Sequence, residues 1–206
     1  MIRFPASEPP GSAAMVESHG VAHVAEPRPA WLEAARRPGV VLLLALIYFL
    51  SGKIGLLMAI PPGLATPVWP PSGIALASIV LLGTRTWPGI WIGAFLLNTT
   101  QLLAIEGAEV SRALLVAVGI ATGSTLQPLL GARLLERAVA ARDPLARTSD
   151  VLRFVGLAGV AGCMTSASIG VTSVWLGGFA SQAELAANWL TWWLGDLAGV
   201  PLLTPL

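Results

Sequence analysis

Four polar residues stand inside otherwise apolar runs of this 206-residue chain: Lys53, Asn98, Gln127 and Asp196. An ammonium, a carboxylate and two amides in such surroundings are costly to bury unless paired. Each is therefore a candidate for an ion path, a counter-ion or a clasp between helices. Other chemistry is poorly supplied. The single Cys163 allows no disulfide framework or multi-cysteine metal site within the chain. Both histidines, His19 and His23, lie in a polar N-terminal stretch, which removes haem ligation, a histidine metal cluster and a Ser-His-Asp set from the apolar region. No Walker loop, kinase phosphoacceptor region or cyclase signature appears, so no catalytic, metal or cofactor site is expected. A retinal Schiff base on Lys53, the only lysine, would need an aromatic pocket around it, whereas most tryptophans fall near the ends of the apolar runs.

The elements holding these residues follow from composition. Hydrophobic residues make up 55% of the chain and charged residues 11%, with a mean hydropathy of +0.75. A soluble domain averages about 25% charged residues, so this is a membrane protein. Its net charge of +1 supplies no basic patch for nucleic acid. Residues 1–38, rich in Pro, Ala, Glu and Arg without periodicity, are read as a mobile cytoplasmic tail, and 39–206 as a transmembrane domain.

Six apolar segments, near 39–60, 72–84, 87–105, 111–135, 151–176 and 186–206, approach the about 20 residues a spanning helix needs, the second being short. In the first, thirteen Val, Leu, Ile or Phe residues between Val40 and Ile60 contribute about −6 kcal/mol against about +3 for a central lysine, so it inserts. No A-x-A-like cleavage site follows, which argues against a leader. An S-x-x-E box at Ser181–Glu184 precedes the last helix, "TSD" at 148–150 precedes the fifth, and Ser72 is placed to cap the second. The expected fold is all-α, a polytopic transmembrane bundle of about six helices.

Arginines set its orientation. Arg28, Arg36 and Arg37 precede the first helix, Arg85 lies between the second and third, and Arg133, Arg137, Arg142, Arg147 and Arg153 flank the link from fourth to fifth. The alternate links hold Glu106, Glu109 and Glu184 with Arg112. The positive-inside rule then makes the N-terminus cytoplasmic. The stretch "ATPVWPPSGIALA", residues 65–77, falls on the outer face, braced by Pro67, Pro70 and Pro71. Trp69, Trp175, Trp189, Trp192 and Trp193 suit the outer interface. Packing seams recur at i+4 spacing: Gly119, Gly123, Gln127 and Gly131 in the fourth helix, Ala158, Gly162, Ser166 and Gly170 in the fifth, Gly89 and Gly93 in the third, and Gly195 and Gly199 in the sixth.

Depth relates the polar residues. Lys53 lies about 10 Å below the outer boundary and Asp196 about 15 Å at 1.5 Å per residue. Two readings stand: an ion pair tying the first helix to the sixth, or separate partners for each. Asn98 and Gln127, nearer the middle, are placed to bond across the third and fourth helices.

Four stretches, "VWPPSGIALA", "LLGTRTWPGIWIGAFLLN", "GIATGSTLQPLLGARLL" and "WLTWWLGDLAGVPLLTPL", together resemble the type-one membrane-associated sensor domain, MASE1, of bacterial signalling proteins, from about residue 40 to the end. By position the resemblance picks out Trp69, Pro70, Pro71, Ser72, Gly73, Trp192, Trp193, Gly195, Asp196, Gly199, Thr204 and Pro205. It implies a sensory module of the bacterial inner membrane, upstream of a histidine kinase or diguanylate cyclase. Members often carry glutamate where Gln127 stands, so the charge found there in relatives is lacking. They also commonly continue past the T-P element with further helices, which makes this chain a truncated bundle, a fragment or a stand-alone remnant.

The expectation is thus a sensor domain without catalysis of its own. Trp69, Pro70, Pro71, Ser72 and Gly73 form the input surface, and Lys53, Asp196, Asn98 and Gln127 the buried polar coupling. The partners are the bilayer, a small ligand or membrane protein, and a second copy of the chain. A fragment of a transporter is the alternative; it calls for a membrane-spanning polar cavity, whereas a closed bundle with an outer pocket favours sensing.

Overall fold

Apolar residues without an internal proline make α1, Pro38–Leu56. The computed structural model describes residues 38–59, 66–138 and 154–204. The tail, Pro61, Pro62, the "TSD" signal and Pro205 lie outside them. One flank of α1 is exposed leucine and isoleucine, Leu42, Leu43, Leu46, Leu50 and Ile54, while Leu44, Ala45 and Tyr48 are buried. An apolar exterior, with the buried face joined by Gly52 and Gly55, is the pattern of a helix set against acyl chains.

Helix α2, Pro70–Leu82, starts two residues earlier than expected. Ser72 does not cap it; Trp69 holds the cap position in extended backbone, and two prolines fill the first turn. Proline suits that turn because its missing N–H would find no helical acceptor there. Gly83, at φ +89°, ends the helix and donates its N–H to Ile79 O at 3.0 Å. A 3-10 turn, Thr84–Thr86, leads into α3, Trp87–Leu102. Helix α4, Val110–Ala138, is the longest and holds Pro128. A π-helical segment, Phe154–Ala161, runs into α5, Gly162–Leu176. The Ser181–Glu184 capping box is formed, and α6, Leu185–Leu203, follows it with Pro201 near its end.

The six helices match the six apolar segments in order, with no strand among the described residues. Three are long and apolar enough to cross a membrane: Pro38–Leu56, Val110–Arg137 and Gly159–Leu176. Helix α2, with 13 residues, reaches only about 20 Å, short of the about 30 Å hydrocarbon layer. Helix α6 has the length, but Asn188, Thr191, Asp196 and the tryptophans Trp189, Trp192 and Trp193 dilute its apolar character.

The seams pack as their spacing requires. A Cβ on Gly89 would lie 2.6 Å from Val41 O, and one on Gly93 2.6 Å from Ala45 O, so α3 presses on the backbone of α1. Gly119 faces Ser173, Gly123 faces Ile169 and Ser166 O, and Gly162 faces Gln127 O and Gly131, so the α4 stripe packs on α5, with Gly162 and Ser166 of the α5 series meeting it. Trp192 of α6 fills the notch at Gly170 of α5.

Candidate functional site

The two most distinctive stretches of the sequence meet in space. The Trp69 N–H donates to Gly195 O at 2.9 Å, a backbone bond between the α1–α2 link and α6. The Ser72 hydroxyl lies 2.8 Å from Asp196 O and 2.8 Å from Trp69 O, and its single proton serves one of them at a time. Thr204 Oγ1 donates to Gly73 O at 3.3 Å. No side chain would fit between: a Cβ on Gly73 or Gly199 would overlap the opposing backbone. Pro71, Ser72 and Gly73 are therefore buried, and Trp69 and Pro70 half-buried. A stretch expected to form an outward surface is instead packed inward, because its prolines and glycine let α2 lie directly on α6.

Beneath this contact is a polar core. Asp196 is 1% exposed, with the Ser166 side chain within hydrogen-bonding reach and Oδ2 left without a partner. Tyr48 of α1, also buried, has the side chains of Ser124 and Trp69 within reach. Gln127 Nε2 donates to Cys163 Sγ at 3.2 Å. Five helices or links thus contribute polar atoms to one buried region. Trp69 joins it to the outside of the cluster, its ring resting 3.1 Å from where a Cβ on Gly55 would sit.

Of the two readings for Lys53 and Asp196, the ion pair does not form, and Lys53 has a separate partner. Lys53 Nζ donates to Gln101 Oε1 at 2.8 Å and lies 5.4 Å from the Phe49 ring centroid. The ion pair found among the described residues is Arg112–Glu109, exposed and at 3.9 Å. Similar depth did not suffice, since Lys53 is turned toward α3. The expected bond between Asn98 and Gln127 is likewise replaced: Asn98 Nδ2 donates to Ala94 O of its own helix at 2.8 Å. Trp91 Nε1 and Thr122 Oγ1, at 3.4 Å, link α3 to α4 in its place. Trp193 Nε1 donates to Val160 O at 3.2 Å, and its ring stacks on Trp189 at 5.8 Å.

Above the polar core is a cavity of about 60 Å³. Trp69 and Trp192 supply aromatic walls, Asn98 and Gln101 amides, and Thr66 and Gly195 close the side nearest the α2–α6 contact. At about one water per 10–15 Å³ of such volume it holds a few waters or one very small molecule. Gln101 and Thr66 were not singled out from the sequence, Gln101 because it stands at the very end of an apolar run. Its position three residues after Asn98, on the same helix face, is the signal that could have found it.

The fold and its buried polar core define an all-helical membrane domain. A family model, MASE1, matches residues 40–206, and the chain belongs to that family of membrane-associated sensory domains. No curated protein and no solved structure matches it.

Proposed function

We propose that this domain is the input module of a bacterial signalling protein in the inner membrane, with its N-terminus cytoplasmic. It senses a small ligand or membrane partner at the Trp69–Trp192 cavity and passes the signal along α6 to a histidine kinase or diguanylate cyclase. One observation carries this: Trp69 lines the cavity and is bonded through its backbone to Gly195, next to the buried Asp196. A change of packing at the cavity wall is thereby a change in the position of α6. Arg85 and Arg133 line one cavity at the opposite end of α3, which supports the orientation drawn from the arginines. The two cavities share no lining residue, which supports sensing over transport.

The test joins a diguanylate cyclase reporter after Leu206 and compares wild type with Trp69→Ala and Asp196→Asn at equal membrane levels. Both are expected to change cyclic dinucleotide output. Output equal to wild type in both would overturn the coupling. For orientation, an impermeant maleimide on intact cells should label Pro67→Cys and not Arg85→Cys in a Cys163→Ser background; the reverse pattern would invert the topology.

A further inference from the structure

A second and larger cavity, about 490 Å³, opens between the start of α3 and the C-terminal half of α4. Arg85 and Arg133 both line it and both are exposed. Neither makes an ion pair with a carboxylate among the described residues. Two guanidinium groups sharing one cavity repel unless an anion lies between them. Their planar forks match the oxygens of a phosphate.

Thr84, Thr122 and Thr125 also line the cavity, and the rest of the wall is apolar. Trp91, Leu126 and Leu129 line it, with Trp91 held by its bond to Thr122 and by stacking on Phe95 at 5.2 Å between centroids. Leu126 and Trp87 are 41% and 47% exposed, so this wall continues onto the outside of the bundle. In a membrane domain that outside is occupied by acyl chains. A soluble anion would use the arginines and leave the apolar wall unoccupied; an anionic lipid uses both. The volume falls within the about 300–1,000 Å³ of sites for ligands of many atoms. Basic pockets between helices are the usual seats of anionic headgroups.

We propose that this cavity binds an anionic phospholipid, with its phosphate between Arg85 and Arg133 and one acyl chain along Trp91, Leu126 and Leu129. The bound lipid ties the α2–α3 link to α4.

The experiment uses the purified full chain, delipidated in detergent and offered equimolar dioleoylphosphatidylglycerol and dioleoylphosphatidylcholine. Native mass spectrometry counts the lipid retained. Phosphatidylglycerol should be retained in at least about tenfold excess, and the excess should vanish in R85Q/R133Q and persist in R112Q, whose arginine lies at the other end of the bundle. Equal retention of the two lipids, or an undiminished excess in R85Q/R133Q, overturns the proposal. Displacement of the lipid by millimolar inorganic phosphate would assign the site to a soluble anion and also overturn it. Should R85Q/R133Q fail to fold, Leu126→Trp keeps both arginines and fills the groove: loss of the excess supports the proposal, and its persistence overturns it.

Discussion

Trp69 and Gly195 are joined by a backbone hydrogen bond of 2.9 Å across 126 positions of sequence, and one turn further along α6 a Cβ on Gly199 would overlap the Trp69 carbonyl. The obstacle is main chain, which cannot rotate away as a side chain can. Gly199→Ala should therefore lower stability by about 1–3 kcal/mol, the usual cost of overpacking. Gly39→Ala, where nothing lies within 4 Å of the added Cβ, should leave stability unchanged or raise it by about 0.5–1 kcal/mol through helix propensity. Thermal unfolding in detergent separates the two. Equal melting temperatures would mean that α2 and α6 are not held at this distance.

Asp196 buries a carboxylate with one oxygen unpartnered. A buried polar atom left without a bond costs about 1–3 kcal/mol. Asp196→Asn keeps the shape and an acceptor for Ser166 while removing the charge, so its melting temperature should equal or exceed wild type. Asp196→Leu strands the Ser166 hydroxyl and should lower it. If Asn destabilises as much as Leu, the carboxylate is a structural clasp rather than a tolerated burden, and its role in coupling α6 to output loses its physical basis.

What could be read from the chain was whatever depends on spacing within one helix. Gly119, Gly123 and Gly131 fall on one stripe because four residues advance an α-helix by little more than a turn, and they do face α5. The Ser181–Glu184 box was legible for the same reason: its partners are three residues apart. Partners on different helices were not. Counting residues gives an expected depth, alike for Lys53 and Asp196, but the direction a side chain points depends on each helix's rotation and neighbours. Lys53 therefore meets Gln101 rather than Asp196. The W-P-P-S-G stretch was identified as distinctive, yet its burial was hidden, since proline and tryptophan serve an exposed interface turn and a tight helix contact equally well.

The Lys53–Gln101 bond places an ammonium beside an amide near the end of α3, with Phe49 below it. Gln101→Leu removes the acceptor and leaves a partly buried charge facing an apolar residue. The loss should be about 1 kcal/mol, at the low end for hydrogen bonds to charged groups because Lys53 retains some exposure. Lys53→Met should be neutral or stabilising, and Lys53→Met with Gln101→Leu should recover most of the loss. The four melting curves form a double-mutant cycle. A sum of independent effects would show that the bond contributes nothing.

Glu184 closes the box that starts α6, accepting from the Ser181 N–H at 2.8 Å and from the Ser181 hydroxyl at 2.7 Å. The hydroxyl first, and the backbone N–H second, hold this carboxyl below the usual glutamate range. A folded value below the unfolded one means that the ionised group favours the capped helix fully above the ordinary glutamate value of about 4.3. That contribution is lost as pH falls through the lower, folded value. Hydrogen-exchange protection of Leu185, Ala186 and Ala187, corrected for the intrinsic rate at each pH, should accordingly be steady near neutrality and fall in the acid range. In Ser181→Ala protection should start lower and respond less to acid, because the hydroxyl that depresses the carboxyl is gone. Wild-type protection that stays level through the acid range would show that the start of α6 is held by its packing on α5 rather than by this cap.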